Sequence, residues 1–199
     1  MRRTVTTFIA LICLARSLSA QRVWTVTLER GNTSYSMAAH DTSTPQIRLL
    51  PWHPVSYSIR VSRDGPRVGY SLALTTANGQ MGATIGDAVI LPGSGLILLE
   101  VAPEIRHRFA TTSFGATLLA HVGPLFDLWA PQGGDVRTTF GAMGGVTLSL
   151  PIDRRWGAVI RGDLAVTGSE ATRAEESAEI KRPTTMRRGR LALGISRTL

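Results

Sequence analysis

The residues that could do chemistry in this chain are few and regularly placed. Glu29, Arg60, Glu100, Glu104, His121, Arg137, Arg161, Asp163 and Arg190 each fall on alternate positions within otherwise apolar or small-residue runs. Glu100 and Glu104 share one face of such a run and suggest paired carboxylates for acid-base work. In an extended chain their spacing puts them about 13 Å apart, too far for direct coupling. The four histidines are His40, His53, His107 and His121, and no two have metal-ligand spacing. His40 and His53 lie near Ser43 and Ser56, but no Ser-His-acid spacing is present. Gly141-Ala142-Met143-Gly144-Gly145 lacks the Lys-Ser/Thr of a phosphate loop and falls inside a strand pattern. The expectation is therefore no catalytic centre, no cofactor and no metal. Charges of both signs on one enclosed face must pair. They are expected to form a salt-bridged plug rather than a proton or ion path.

These residues are positioned by eight alternating stretches. They run 22–30, 55–62, 68–75, 95–106, 114–126, 136–150, 155–167 and 187–199. The second is the cleanest: Val55, Tyr57, Ile59 and Val61 alternate with Ser56, Ser58, Arg60 and Ser62. Period two puts the two sets on opposite faces of a strand. The gaps sort by parity. Short turns fall at 63–67, 107–113 and 151–154, and long loops at 31–54, 77–94, 127–135 and 168–186. Within the last, 171–181 suits a brief helix.

Alternation alone does not say which face points inward. Gly, Ala, Ser and Thr dominate the polar face, where a water-exposed surface would carry more Lys and Glu. The sorted gaps and the stretch lengths suit strands tilted through a bilayer. The expected architecture is an all-β, eight-stranded antiparallel up-and-down barrel, with lipid against its apolar set.

The N-terminus adds a compartment. Arg2 and Arg3 precede an apolar run, Val5 to Ala15, and Leu18-Ser19-Ala20 offers small residues for cleavage before Gln21. This reads as a signal peptide over 1–20, too short to span a membrane, with the barrel over 21–199. Cys13, the chain's one cysteine, would leave with it, so no disulfide chemistry is expected in the mature chain. Loss of Arg2, Arg3 and Arg16 lowers the formal charge from +8 to +5. The arginines are scattered and form no stripe, which argues against nucleic-acid binding. Trp24, Trp52, Trp129 and Trp156 fall near strand ends, where indole rings suit the membrane interface as an aromatic girdle.

In this pattern, which covers nearly all of residues 22–199, the chain resembles small eight-stranded outer-membrane barrels of the OmpA/OmpX type. The resemblance implies periplasmic termini, four outer loops and three inner turns, with outer-membrane lipid and the barrel-assembly machinery as partners. Such barrels often end in Phe; here Leu199 closes a run interrupted by Arg197. Pro103 and Pro124 each remove a ladder donor. No wall-binding segment follows the barrel pattern. The expected role is non-enzymatic, structural or in surface interaction through the outer loops. The last loop is the foremost contact surface, with Glu170, Glu175, Glu176 and Glu179 facing Arg173, Lys181 and Arg182. A narrow channel for small solutes is one alternative. A soluble, lipocalin-like barrel holding a lipophilic ligand is another, and it would need the apolar faces inward.

Overall fold

A computed structural model describes residues 23–37, 48–85, 88–90, 95–132, 135–168 and 185–199. The expected leader, His40, Ser43, the helix expected at 171–181 and the charged contact surface of the last loop lie outside these residues.

The strands are β1 (Val23–Met37), β2 (Arg48–Asp64), β3 (Val68–Ile85), β4 (Ala88–Ile90), β5 (Gly95–Thr111), β6 (Thr117–Pro131), β7 (Arg137–Pro151), β8 (Trp156–Gly168) and β9 (Thr185–Thr198). Among the described residues, short β4 pairs only with the end of β3. The other eight are staves, each antiparallel to its neighbours in sequence, and β1 pairs with β9 to close the ring. Closure removes both sheet edges, so every stave has a partner on each side.

The register fixes the barrel's shape. One row of paired residues runs Thr33, Arg190, Asp163, Gly145, His121, Arg106, Gly69 and Asp64, and returns to β1 at Val23. The stagger is ten residues for eight staves, which tilts them by about 40° and gives each residue an axial rise of about 2.5 Å. The 18 residues of β3 then reach about 45 Å along the axis, well beyond an apolar band of about 25 Å. This is why the gaps expected at 31–54, 77–94 and 127–135 are partly strand. β1 continues to Met37, β2 starts at Arg48, β3 runs to Ile85 and β6 to Pro131. The polar, turn-like composition there marks departure from the apolar band, not the end of pairing. β5 likewise continues through His107 to Thr111, leaving a tighter turn at 112–116.

The two prolines fall in one place. The β5–β6 ladder is unbroken up to the Val101–Phe126 pair and resumes at Ile105–Val122, with Pro103 and Pro124 between them. Two missing donors thus interrupt a single stretch.

The apolar set faces out. Leu28, Leu72, Leu99, Val122, Phe140, Leu164 and Leu193 are between 44 and 74% exposed. Small and polar residues face in, with Ala73, Ala102, Ser62 and Thr75 at 2% or less. A lipocalin-like interior requires the opposite sense.

Candidate functional site

The lumen is filled in layers. Its middle is a network of ion pairs. Arg60, from β2, donates Nε and Nη2 to both oxygens of Glu29 on β1, each at 3.2 Å, and Nη1 to Glu104 on β5. Arg161, from β8, reaches the same Glu104 oxygen at 2.7 Å and Asp163 at 2.8 Å. Arg190, from β9, donates Nη2 to Asp163 at 2.7 Å and Nη1 to the hydroxyls of Ser58 and Thr75 at 3.0 and 3.1 Å. Arg188 ties Asp127, at 3.2 Å, to Glu100. Arg190 also stands 3.9 Å from Glu100 and 4.0 Å from Glu29, joining the two halves. Every one of these side chains is at least nine-tenths buried. Only multiple partners make that tolerable, since an unpaired buried charge is expensive.

His121 on β6 reaches across β7 to Asp163, Nε2 to Oδ1 at 2.6 Å. The crossing is possible because Gly145 stands between them. A Cβ there would lie 2.8 Å from His121 Nε2 and 2.9 Å from Asp163 Oδ1. Thr147 Oγ1 is 3.5 Å from His121 Nδ1. The order Thr-His-Asp superficially suits nucleophilic catalysis, but Thr147 also accepts from Arg161 at 3.3 Å and all three are buried. The glycine run 141–145 thus serves close approach inside β7, not phosphate cradling.

Above this network, toward the long connections, the described residues include an apolar cluster in the lumen. Trp129, Leu96, Leu98, Ala77 and Met186 form one cluster, with Tyr35 edge-on to Trp129 at 5.9 Å between centroids. Between this cluster and the plug the free volume is about 10 Å³, barely one water's worth. Below the plug, toward the short turns, a polar cavity of about 240 Å³ opens among Thr25, Thr27, Arg106, Ser149 and Arg155.

Glu29, Arg60, Glu100, Glu104, His121, Arg161, Asp163 and Arg190 thus meet in one network. Arg137 occupies the same inward parity at the start of β7, paired in register with Trp129. Trp129 departs from the expected girdle. It is 1% exposed and lies inside the barrel, because it shares parity with His121 and Asp127 on β6. Trp24 and Trp156 face outward at 47 and 44% exposure. Arg63 lies over Trp24 and Arg197 over Trp156, each 5.4 Å from the ring centroid. Trp52 lies in β2, and its side chain is outside the described residues. Sequence reasoning missed Arg188 and Asp127 as network members, and a separate ion pair nearer the short turns, Arg106 Nη1 to Asp64 at 3.0 Å. The signal was available: Arg188 shares parity with Arg190, and Asp127 with His121.

No protein-family model and no curated protein sequence matches this chain. Solved structures do. Neisserial surface protein A (NspA) is similar with a TM-score of 0.55 at 13% identity, over 87% of this chain and 96% of that one. The outer membrane protein OprG from Pseudomonas aeruginosa has a TM-score of 0.57 at 7% identity, over 89 and 96%. Ail, the attachment invasion locus protein of Yersinia pestis, in complex with the heparin analogue sucrose octasulfate, has a TM-score of 0.51 at 9% identity, over 90 and 100%. At these identities the likeness concerns the fold, which is that of the small eight-stranded outer-membrane barrels.

Proposed function

We propose that this chain is a non-enzymatic integral outer-membrane protein, a closed barrel that acts through the surface at its long-connection end. The observation that carries the reading is the filled lumen inside an apolar wall. Arg161 is 1% exposed and held between Glu104 and Asp163, and Trp129 seals the space above it. An interior of this width is just large enough for side chains to fill. The reading places the four long connections outside the cell and the short turns in the periplasm, the usual sense of such barrels. Its partners are outer-membrane lipid, the assembly machinery that inserts it and a surface ligand for the long connections. The fold likeness to Ail, whose structure holds a heparin analogue, is consistent with recognition at a barrel's surface.

The test is refolding of residues 21–199 into micelles, followed by gel electrophoresis and planar-bilayer recording. A band whose mobility changes on boiling, together with a silent bilayer, is the expected result. Glu104→Gln, which leaves Arg60 with Glu29 alone and Arg161 with Asp163 alone, is expected to introduce conductance steps. Steps in the unaltered protein would favour a solute channel instead.

A further inference from the structure

The outer wall of the barrel is not smooth. On the half nearer the long connections, a groove of about 750 Å³ crosses β7, β8, β9 and β1. Gly144, Gly162 and Gly189 floor it, and Leu164 and Leu191 rise beside them, 74 and 64% exposed. The register makes part of it a trench. Gly189 pairs with Leu164 and Gly162 with Leu191, so the two glycines lie on a diagonal between the two leucines. With staves tilted by about 40°, that diagonal runs nearly along the barrel axis, Gly189 standing about 8 Å above Gly162.

The fold does not ask for glycine at the trench floor. A Cβ on Gly162 would meet nothing within 4 Å. Backbone geometry does not require it either, since among the described glycines only Gly115 has a positive φ. Glycine weakens a strand interior, and where it stands in one it often marks the close approach of a ligand or another backbone.

Charge says which occupant fits. Arg187 lies two residues above Gly189 on β9, exposed on the outward face. The same tilt puts it about 5 Å higher than Gly189 and about 27 Å above Trp24 and Trp156, at the far edge of an apolar band of about 25 Å. Parity turns the carboxylates of the described staves into the lumen, whereas Arg30 and Arg187 both face out on this side. A second copy laid on this face would set arginine against arginine with no stave carboxylate to meet them. An anionic lipid meets them with a phosphate.

We propose that this trench holds one anionic lipid of the outer leaflet, its phosphate on Arg187 and one acyl chain lying along Gly189 and Gly162 between Leu164 and Leu191. The inference rests on the reading that the apolar wall meets lipid, with the long connections outside.

The experiment is native mass spectrometry of the refolded barrel (residues 21–199), released from micelles carrying equal amounts of phosphatidylglycerol and phosphatidylcholine with the same acyl chains. One phosphatidylglycerol is expected to stay bound, at least about fivefold over phosphatidylcholine, the effect of one arginine at a lipid phosphate. Gly162→Leu fills the trench on a face that already carries leucines, and it is expected to fold and to lose the bound lipid. Arg187→Gln is expected to bring the two lipids to equal retention. Arg63→Gln removes an outward cation at the other end of the barrel and is expected to change nothing. Equal retention by the unaltered protein, retention indifferent to Gly162→Leu or Arg187→Gln, or an equal loss with Arg63→Gln would overturn the proposal. A dimer mass that Gly162→Leu abolishes would also overturn it, giving the groove to a second copy. Gel mobility before and after boiling is read on the same samples. A boiling-dependent shift without selective retention would defeat this inference alone, and absence of the shift would defeat the membrane reading with it.

Discussion

Arg161 is the side chain on which the interior turns. It lies between two carboxylates and a threonine hydroxyl, with no water-facing surface to relax toward. Replacing it with methionine keeps the volume but strands Glu104 and Asp163 as buried charges with fewer partners. The expected cost is about 3–5 kcal/mol, measured by urea unfolding in micelles. Gly145 makes a second prediction. A Cβ at that position would sit 2.1 Å from the Gly162 carbonyl oxygen, a backbone atom that cannot step aside. Gly145→Ala is therefore expected to break the His121–Asp163 hydrogen bond and to destabilise the barrel by about 1–3 kcal/mol, as overpacking does. The imidazole proton resonance of His121 and the same urea curve would report it. Most of the network was legible at this scale, because parity alone places Glu29, Arg60, Glu104 and Asp163 on one face. The pairings were not legible, since they join β1 to β2, β2 to β5 and β5 to β8 and depend on the stagger of the ring.

Strands and turns carry the next set of consequences. The eight staves were readable from alternation, but their outer ends were not. Composition changes where a stave leaves the apolar band, whereas pairing continues beyond it. Trp129 shows the cost of that confusion. Read at the edge of a loop, it looked like an interface residue; as part of β6 it must face inward with Asp127. At the turn end the elements are better behaved. Arg63, Trp24, Arg197 and Trp156 alternate across β2, β1, β9 and β8, pairing cation with indole at the depth suited to the membrane interface. Trp156→Ala is expected to lower stability in lipid vesicles more than in micelles. The β7–β8 turn carries a pH prediction. The backbone N–H groups of Arg155 and Trp156 hold the Asp153 carboxyl below the usual carboxylate range. Its stabilisation of the turn is then full above the ordinary aspartate value of about 3.9 and is lost as the pH falls through the lower native value. A carbon-13 titration of the Asp153 carboxyl should show a midpoint below that ordinary value.

The barrel is an inverted protein, with charges inside and an apolar wall outside, and its described residues are stratified from an apolar cluster through an ion-paired network to an open polar cavity. The inversion follows from the small residues on the inward face and the connection lengths sorted by parity. The stratification was hidden, since it depends on heights along the axis that a one-dimensional pattern does not contain. The central claim is that the apolar face meets lipid. It is tested most directly by spin labels at single cysteines replacing Leu72, Leu99 and Leu164, in a Cys13-free chain (residues 21–199) reconstituted in vesicles. All three outward sites are predicted to be accessible to oxygen and shielded from a water-soluble nickel chelate. Relaxation by the chelate at these sites, or folding of the same chain in plain buffer with the labels immobilised in an interior, would contradict the account.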